Sequence, residues 1–494
     1  MTVDTISSYI DGQWRTERAG HTLEVVSPAT EAVVATLREA DGDEVDAAVS
    51  AARRAFDAGT WSRASVADRQ RVLYRIHDLI VAHKDELARR ECTNTGIPIK
   101  QVLGRHVDRA AHNFAFFAEY IGQAADGVFD QHPDYLTFVR HEPVGVAALI
   151  APWNAPLALA CMKIAGAIAF GNSCVVKPSE FTPLEFVPLM DLFGQAGLPD
   201  GVVNMVNGRG HVTGQALVDH PGIDAIAFTG GTETGRRIGQ AAGRGLKALV
   251  TELGGKSANI IFADADLDRA LDGALVGIFS NNGQQCLAGS RILIQRPIAD
   301  AFIDRFVERT RRLSVGDPFD EATEIGPLIT RAHFDRVLGY TDIARGEGAE
   351  VLTGGGRAEG FDQGYYVQPT VMRVPDNSLR VCQEEIFGPF AAIQPFDEPD
   401  EAFHIANDTR YGLVSYVWSE SLGTVTQAMQ RLRSGVVWIN TPMTRELRAP
   451  FGGFKDSGTG RMGGEASRRL FTEEKTVTLP TRTFPIAKLG LGTG

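Results

Sequence analysis

The chain has 494 residues, 44% apolar and 22% charged, with 61 acidic against 49 basic side chains and a formal charge of −12. One hydrophobic core stops growing near about 250–300 residues, so two or three domains are expected. The acidic balance excludes nucleic acid or an anionic membrane as the main partner, but leaves room for a local basic pocket holding a small anion.

The N-terminus "MTVDTISSYIDGQW" has no basic stretch followed by an apolar core, so no signal peptide is expected. Residues 43–58 and 64–92 carry apolar positions at helical spacing, and "SVADRQRVLYRIHDLIVAHKDELARRE" is the clearest amphipathic helix. "YLTFVRHEP" (135–143) reads as a strand without a helix partner. The most apolar run, "VGVAALIA" (144–151), is too short to span a bilayer and reads as a buried strand. From there strands and helices alternate: "LALACMKIAGAIAFG", "SCVVKPS", "PLEFVPLMDLFGQAG", "VVNMVNG", "GQALVDH", "IDAIAFTG", "ETGRRIGQAAG" and "KALVTELGG". Such alternation predicts a parallel sheet with crossover helices. A second α/β region follows, from "RILIQ" and "ADAFIDRFVERTRRLS" through "YVQPTVMRV", "AAIQPF", "EAFHIAND" and "YGLVSYVWS" to "SGVVWIN". The tail "FTEEKTVTLPTRTF" reads as a β arm, which with 135–143 suggests a small sheet for subunit contact, and "LTGGGRAEG" (352–360) as a surface loop.

Five cysteines, an odd number widely spaced and without a CxxC pair, argue against a disulfide framework or a zinc site and for a reducing, cytoplasmic compartment. Five of the chain's loops could carry chemistry. "NGRGHVTG", with Gly208, Gly210 and Gly214, is one residue longer than the dinucleotide fingerprint. "FTGGTETG" lies between a strand and a helix N-terminus, where N–H groups favour phosphate. Either is a phosphate loop or an ordinary tight turn. "VVKPSE" sets Lys177 and Glu180 at a strand end, suited to ribose hydroxyls or simply a solvated pair. "TELGGKS" puts Glu252 before two glycines, as a general base if buried or otherwise as a surface acid. Cys286 sits in "NNGQQCLAGSR", among small and polar residues rather than in an apolar run as Cys161 and Cys174 do. That setting makes it a candidate nucleophile.

In order along the chain, "PWN" (152–154), "KPSE" (177–180), "FTGGTETG" (228–235), "TELGGKS" (251–257), "NNGQQC" (281–286), "EEIFGPF" (384–390) and "PFGGFKDSGTGR" (450–461) together resemble the aldehyde dehydrogenase superfamily. The resemblance implies an α/β fold with a Rossmann-like NAD-binding domain (1–120 and 142–254), a catalytic domain (255–470) and a β oligomerisation arm (121–141 and 471–494). It implies a homodimer or homotetramer, no metal, and a small-molecule aldehyde as substrate. Cys286 would be the nucleophile, Glu252 the general base, and Asn154 an oxyanion donor beside the Cys286 N–H, with Lys163 and Lys256 in support. Lys177 and Glu180 would hold the adenosine ribose, with Ser179 between them. Thr229, Gly230 and Gly231 would face the pyrophosphate, and Glu385 and Phe387 would hold the nicotinamide ribose. Pro152, Trp153, Gly210, Gly214, Phe228 and Leu253 would complete the cofactor surface. Gly231 stands where the family often has serine, which leaves the backbone donors in place. Glu252 favours hydrolysis over acyl transfer to coenzyme A, and Glu180 favours NAD over NADP by repelling a 2′-phosphate.

For the substrate, Ala155 and Ser280 are small, which predicts a wide or polar pocket. "TRELRAPFGG" resembles a segment of the hydroxymuconic semialdehyde dehydrogenases, the subgroup that includes enzymes of 5-carboxymethyl-2-hydroxymuconate semialdehyde; "TGIPI" (95–99), "RAAHNFAFFAE" (109–119) and the ending "FPIAKLG" (484–490) agree. On that resemblance Arg109 and Arg448 would hold substrate carboxylates, Arg445 would stand second and Arg105 weaker, and Phe451 would line the pocket. Both arginines of the loop could equally be solvated, with Glu446 as partner. An uncharged aromatic or aliphatic aldehyde, a non-catalytic member of the family, and a cysteine hydrolase are the alternatives.

Overall fold

The computed structural model describes residues 4–17, 20–483 and 485–490. Asp41 caps helix Gly42–Ala58 by accepting from the Glu44 N–H, and Ser65 caps Val66–Ala82 by accepting from Asp68. The amphipathic run expected over 64–92 is two helices. His83 leaves helical geometry (φ −104°, ψ 20°), and Lys84–Thr95 starts anew before Gly96 closes it at φ 70°. Apolar periodicity persists across such a break because both helices bury the same face, so the pattern did not register it.

Five strands form the parallel centre of an eight-stranded sheet, in the order Ala248–Glu252, Ala225–Thr229, Val146–Ile150, Ser173–Lys177, Val203–Met205. Short antiparallel strands extend both edges, at 9–14 on one side and Gly458–Thr459 on the other. Val146, Ala148 and Ile150 pack one face against helices Gly42–Ala58 and Thr232–Arg244. Ala147 and Leu149 pack the other against Val66–Ala82, Pro156–Ala169 and Phe186–Gln195. Burial on both faces is why these strands read as unbroken apolar runs.

Leu253–Ser257 leads from that sheet into a second, seven-stranded sheet, parallel apart from Glu350–Thr353 at its edge. The lone strands pair as expected: Thr472–Pro480 runs antiparallel to Tyr135–Pro143 along its whole length, with Val128–Phe129 beyond. Of the expected arm, Phe484 and residues 491–494 lie outside the described residues. Among the described residues no helix is long and apolar enough to cross a membrane, and no cluster of three His, Cys, Asp or Glu could hold a metal.

Candidate active site

The chain builds the first sheet outward from Val146–Ile150, fills one side, then crosses to Ala225–Thr229 and Ala248–Glu252 on the other. The order reverses between Val146–Ile150 and Ala225–Thr229. In open α/β sheets a crevice forms there, at the carboxyl ends of the strands. Those ends run into Pro152–Trp153–Asn154 and Gly230–Gly231, which together line a cavity of about 420 Å³. Glu252, Leu253, Cys286, Glu385 and Phe387 line the same cavity.

Cys286 reaches it from a loop shaped by two left-handed residues, Asn281 (φ 58°) and Asn282 (φ 56°), asparagine being among the side chains that tolerate this region best. Asn282 is fully buried. Its Nδ2 donates to the carbonyls of Gly96 (3.1 Å) and Pro327 (2.9 Å), and its Oδ1 accepts from the Gly326 N–H (2.8 Å). Gln284 Oε1 accepts from the Ile329 N–H (3.0 Å). The loop is therefore built into two neighbouring segments, at Gly96 and at 326–329. Asn282→Ala strands three buried backbone groups and strains the turn, so we expect a loss of about 3 kcal/mol, read as a lower unfolding temperature or a shorter inactivation half-life. An unchanged half-life would show that other contacts hold the loop. Gly255 passes so close to the Cys286 carbonyl that any Cβ there would collide.

Of the five cysteines, Cys92, Cys161, Cys174 and Cys382 are buried and Cys286 is partly exposed, all as free thiols. Burial, with the Glu385 and Glu252 carboxylates nearby, pushes the Cys286 thiol up to about 12, and Arg109 opposes this. Such a thiol is neutral at pH 7 and attacks only as a base takes its proton. Glu252 ends its strand buried, with neither carboxylate oxygen accepting a hydrogen bond from the protein. Desolvation raises it far above the ordinary carboxylate range, against Arg445, Lys163 and Arg461. Lys163 Nζ donates to Thr229 Oγ1 (2.7 Å), and burial pulls it down to about 7 against the pull of Glu252. Asn154 Nδ2 donates to the Gln284 carbonyl (2.8 Å), which uses one of its two amide hydrogens and leaves the other.

On the sheet side, helix Thr232–Arg244 begins at Gly231, which lines the cavity, and no side chain caps its first N–H groups. A Cβ on Gly231 would meet open space, whereas one on Gly230 would strike the Phe228 ring. Lys177 is buried, donates to the Pro178 carbonyl (2.9 Å) and stands 3.6 Å from Glu180. It is therefore no solvated surface pair. Ser179 is buried beside them. Gly214 packs against the Lys177 stem, while Gly210 opens a short turn on the surface with nothing nearby. Glu385 accepts from the Gly255 N–H (3.0 Å), and burial raises it to about 7. Lys256 is buried, which lowers it to about 8.

Cys286 packs against a cluster of Leu413, Val414, Tyr416 and Trp438, against which Leu287, Met443 and Phe451 also pack. Arg445 lies with its guanidinium over the Phe451 ring (4.5 Å) and donates to Met162 Sδ (3.0 Å). Its field reaches Glu252, Cys286 and Arg109, and burial lowers its affinity for the proton. Arg109 is lowered by burial too. Arg109 Nε and Nη2 and Arg445 Nε are buried without a partner, and among the described residues neither arginine forms an ion pair. Arg448 is a correction. Its side chain is 76% exposed and donates twice to Glu446 (2.9 and 2.7 Å), facing a separate surface groove. Upstream the loop holds Asn440 (φ 51°) and Met443 (φ 56°) in left-handed geometry; Arg445 lies against Phe451 and Met162, while Arg448 lies in solvent with Glu446. Arg105 is exposed, and Ala155 and Ser280 are partly exposed at the two ends of their turns.

Sequence reading missed one wall. Ile329, Thr330, Ala332, His333 and Arg336 line the cavity from the start of helix Arg331–Gly346. The Thr330 cap and the apolar Phe334, Val337 and Tyr340 were the available signal. Phe181, a partly exposed aromatic directly after Glu180, also lines it and was not singled out.

A family model described as the aldehyde dehydrogenase family matches residues 14–477. The 2-hydroxymuconic semialdehyde dehydrogenase of Pseudomonas sp. (strain CF600) is 42% identical over 482 residues, 96% of this chain and 99% of that protein. Retinal dehydrogenase 2 of Homo sapiens is 41% identical over 474 residues, 95% of this chain and 91% of that protein. The NAD+ complex of an aldehyde dehydrogenase from Bacillus cereus superposes with a TM-score of 0.94 at 39% identity, covering 97% of both chains.

Proposed function

Because the chain belongs to the aldehyde dehydrogenase family, we propose that it is an NAD-dependent enzyme that oxidises a carboxylate-bearing semialdehyde to its acid through Cys286. The observation that carries the reading is the convergence of Cys286, Asn154 and Glu252 on one cavity whose far wall is an uncapped helix N-terminus. That wall fits NAD: N–H groups at the helix start for the pyrophosphate and Glu385 for a ribose hydroxyl, while Lys177 with Glu180, at the strand end next to Phe181, would partner the other ribose. When bound, NAD supplies the hydride acceptor.

The chain's own groups do the rest. Glu252 accepts the proton of Cys286; because the thiol holds it more tightly, the transfer is uphill and is drawn forward as the thiolate adds to the aldehyde carbon. The remaining Asn154 amide hydrogen and the Cys286 N–H stabilise the oxyanion of the thiohemiacetal, a kind of contact worth about 3–4 kcal/mol. Loss of hydride leaves a thioester on Cys286, and Glu252, once it has passed the thiol's proton to solvent, takes a proton from the water that releases the acid. In this reading the first sheet serves the cofactor, the second serves the chemistry, and the sheet of Tyr135–Pro143 with Thr472–Pro480 serves assembly of copies.

Arg109 and Arg445 have guanidinium nitrogens buried without a partner, form no ion pair among the described residues, and their fields reach Cys286; this favours an anionic substrate, because an unpaired buried charge is costly. The 42% identity to a 2-hydroxymuconic semialdehyde dehydrogenase supports the same class; within it 5-carboxymethyl-2-hydroxymuconate semialdehyde, which offers a carboxylate to each of two arginines, is the leading candidate. A second reading, an uncharged aromatic or aliphatic aldehyde, draws on the apolar wall of Tyr416, Trp438 and Phe451 and on the similarity to a retinal dehydrogenase. Initial rates of NADH formation with that semialdehyde, 2-hydroxymuconate semialdehyde, benzaldehyde and hexanal decide between them. Arg109→Leu should lower kcat/KM for the carboxylated substrates by about 100-fold while sparing hexanal, Arg445→Leu should lower it for those substrates by more than for hexanal, and Arg448→Leu should change neither. Equal rates for charged and uncharged aldehydes in all four proteins would leave only the second reading.

A further inference from the structure

Phe387 is held in the left-handed region at φ 63°, a conformation a bulky aromatic keeps only when its surroundings impose it. The surroundings are a three-ring cluster. Trp153 packs edge-on against Phe387 (5.1 Å, 86°) and against His333 (5.5 Å, 63°), and His333 faces Phe387 at 6.2 Å. His333 Nε2 lies 2.7 Å from the Phe387 carbonyl oxygen. A carbonyl only accepts, so this nitrogen carries the hydrogen.

The ring stays neutral. Burial lowers His333 to about 4, and Arg336 one turn on adds to this. Its place in the first turn of helix Arg331–Gly346, capped by Thr330, also disfavours a cation. The same helix grips the turn again farther along: Arg336 Nη2 donates to the Glu385 carbonyl (2.6 Å), and Tyr340 Oη donates to Glu384 (2.7 Å). On its other side the turn meets the cysteine loop, where a Cβ on Gly283 would collide with the Gly388 backbone.

We propose that His333 is a positioning residue for hydride transfer: its Nε2–H fixes the Phe387 carbonyl, and so holds the Glu385–Phe387 turn and the nicotinamide end of NAD in register with Cys286. The inference rests on the reading that Glu385 and Phe387 border the nicotinamide ribose. His333→Phe keeps a ring against Trp153 but removes the donor; His333→Gln restores a donor of similar reach.

The test measures NADH affinity by fluorescence titration and the rate constant of the NADH burst in stopped flow, on wild type, both variants and Phe387→Ala. We expect His333→Phe to weaken NADH binding and slow the burst by about tenfold each, at an unchanged unfolding temperature, and His333→Gln to recover most of both. Wild-type binding and burst in His333→Phe would overturn the proposal, as would a His333→Gln variant as impaired as His333→Phe. If Phe387→Ala binds NADH as wild type does, the reading of the nucleotide site fails and the proposal falls with it. Should His333→Phe not fold, His333→Asn, whose amide is too short for the carbonyl, takes its place against His333→Gln with the same two outcomes.

Discussion

Replacing Cys286 with alanine ends aldehyde oxidation, with a fall in kcat of at least about 10⁴-fold, the scale seen when a covalent nucleophile is removed. The other four thiols offer no substitute. Burial raises Cys92, Cys161 and Cys174 far above the ordinary thiol range, and Cys382 is raised by burial despite Lys256 and Arg291 nearby. None of them lines the cavity. The variant should still bind NADH, because the helix N-terminus, Lys177 and Glu385 are untouched. Mass spectrometry of wild type quenched during turnover should find an acyl adduct on the peptide holding Cys286, and the alanine variant should carry none. Residual turnover above about 1% of wild type would mean that oxidation proceeds without a covalent step, and the thiohemiacetal route would have to be abandoned.

Much of this arrangement was legible in the sequence, for a physical reason. Strands buried on both faces, such as Val146–Ile150 and Ala225–Thr229, must be continuously apolar, and the loops leaving them carry the polar residues that a crevice at their carboxyl ends requires. Glu252 and Cys286 were therefore visible as misfits: a carboxylate ending an apolar strand and a cysteine outside any periodic run. What stayed hidden depends on directions that no period encodes. Arg445 and Arg448 are three residues apart in a loop without regular geometry, broken upstream by left-handed Asn440 and Met443, so no period tells which of them packs on Phe451 and which faces solvent. His333 was hidden differently. Its helix is ordinary in composition, and its importance arises only because a turn some 50 residues later lies against its first turn. The break at His83 escaped because periodicity reports which face is buried, not whether the backbone is continuous.

Glu252→Gln should separate the two halves of the reaction. Glutamine keeps the size of the side chain and loses the base. Addition of the thiol is slowed, since its proton must leave by another route, but release of the acid suffers most, because water is far less acidic than a thiol and depends on the base more. We expect steady-state kcat to fall by about 10²–10⁴-fold, with a stoichiometric burst of NADH followed by near-arrest and a stable thioester on Cys286. The pH dependence should change with it. Desolvation holds Glu252 up to about 8, so at pH 6 it is mostly protonated and cannot act as a base. Wild-type deacylation should rise with pH and level off above that value, whereas the glutamine variant should lack this inflection. Arg445 and Lys163 both favour the ionised carboxylate, so Arg445→Leu should move the wild-type inflection to higher pH. A burst-free Glu252→Gln variant turning over within tenfold of wild type would remove Glu252 as the hydrolytic base. A flat wild-type profile between pH 6 and 9 would instead mean that deacylation is not limiting, and single-turnover release of the acid would then be the measurement in which the same inflection must appear.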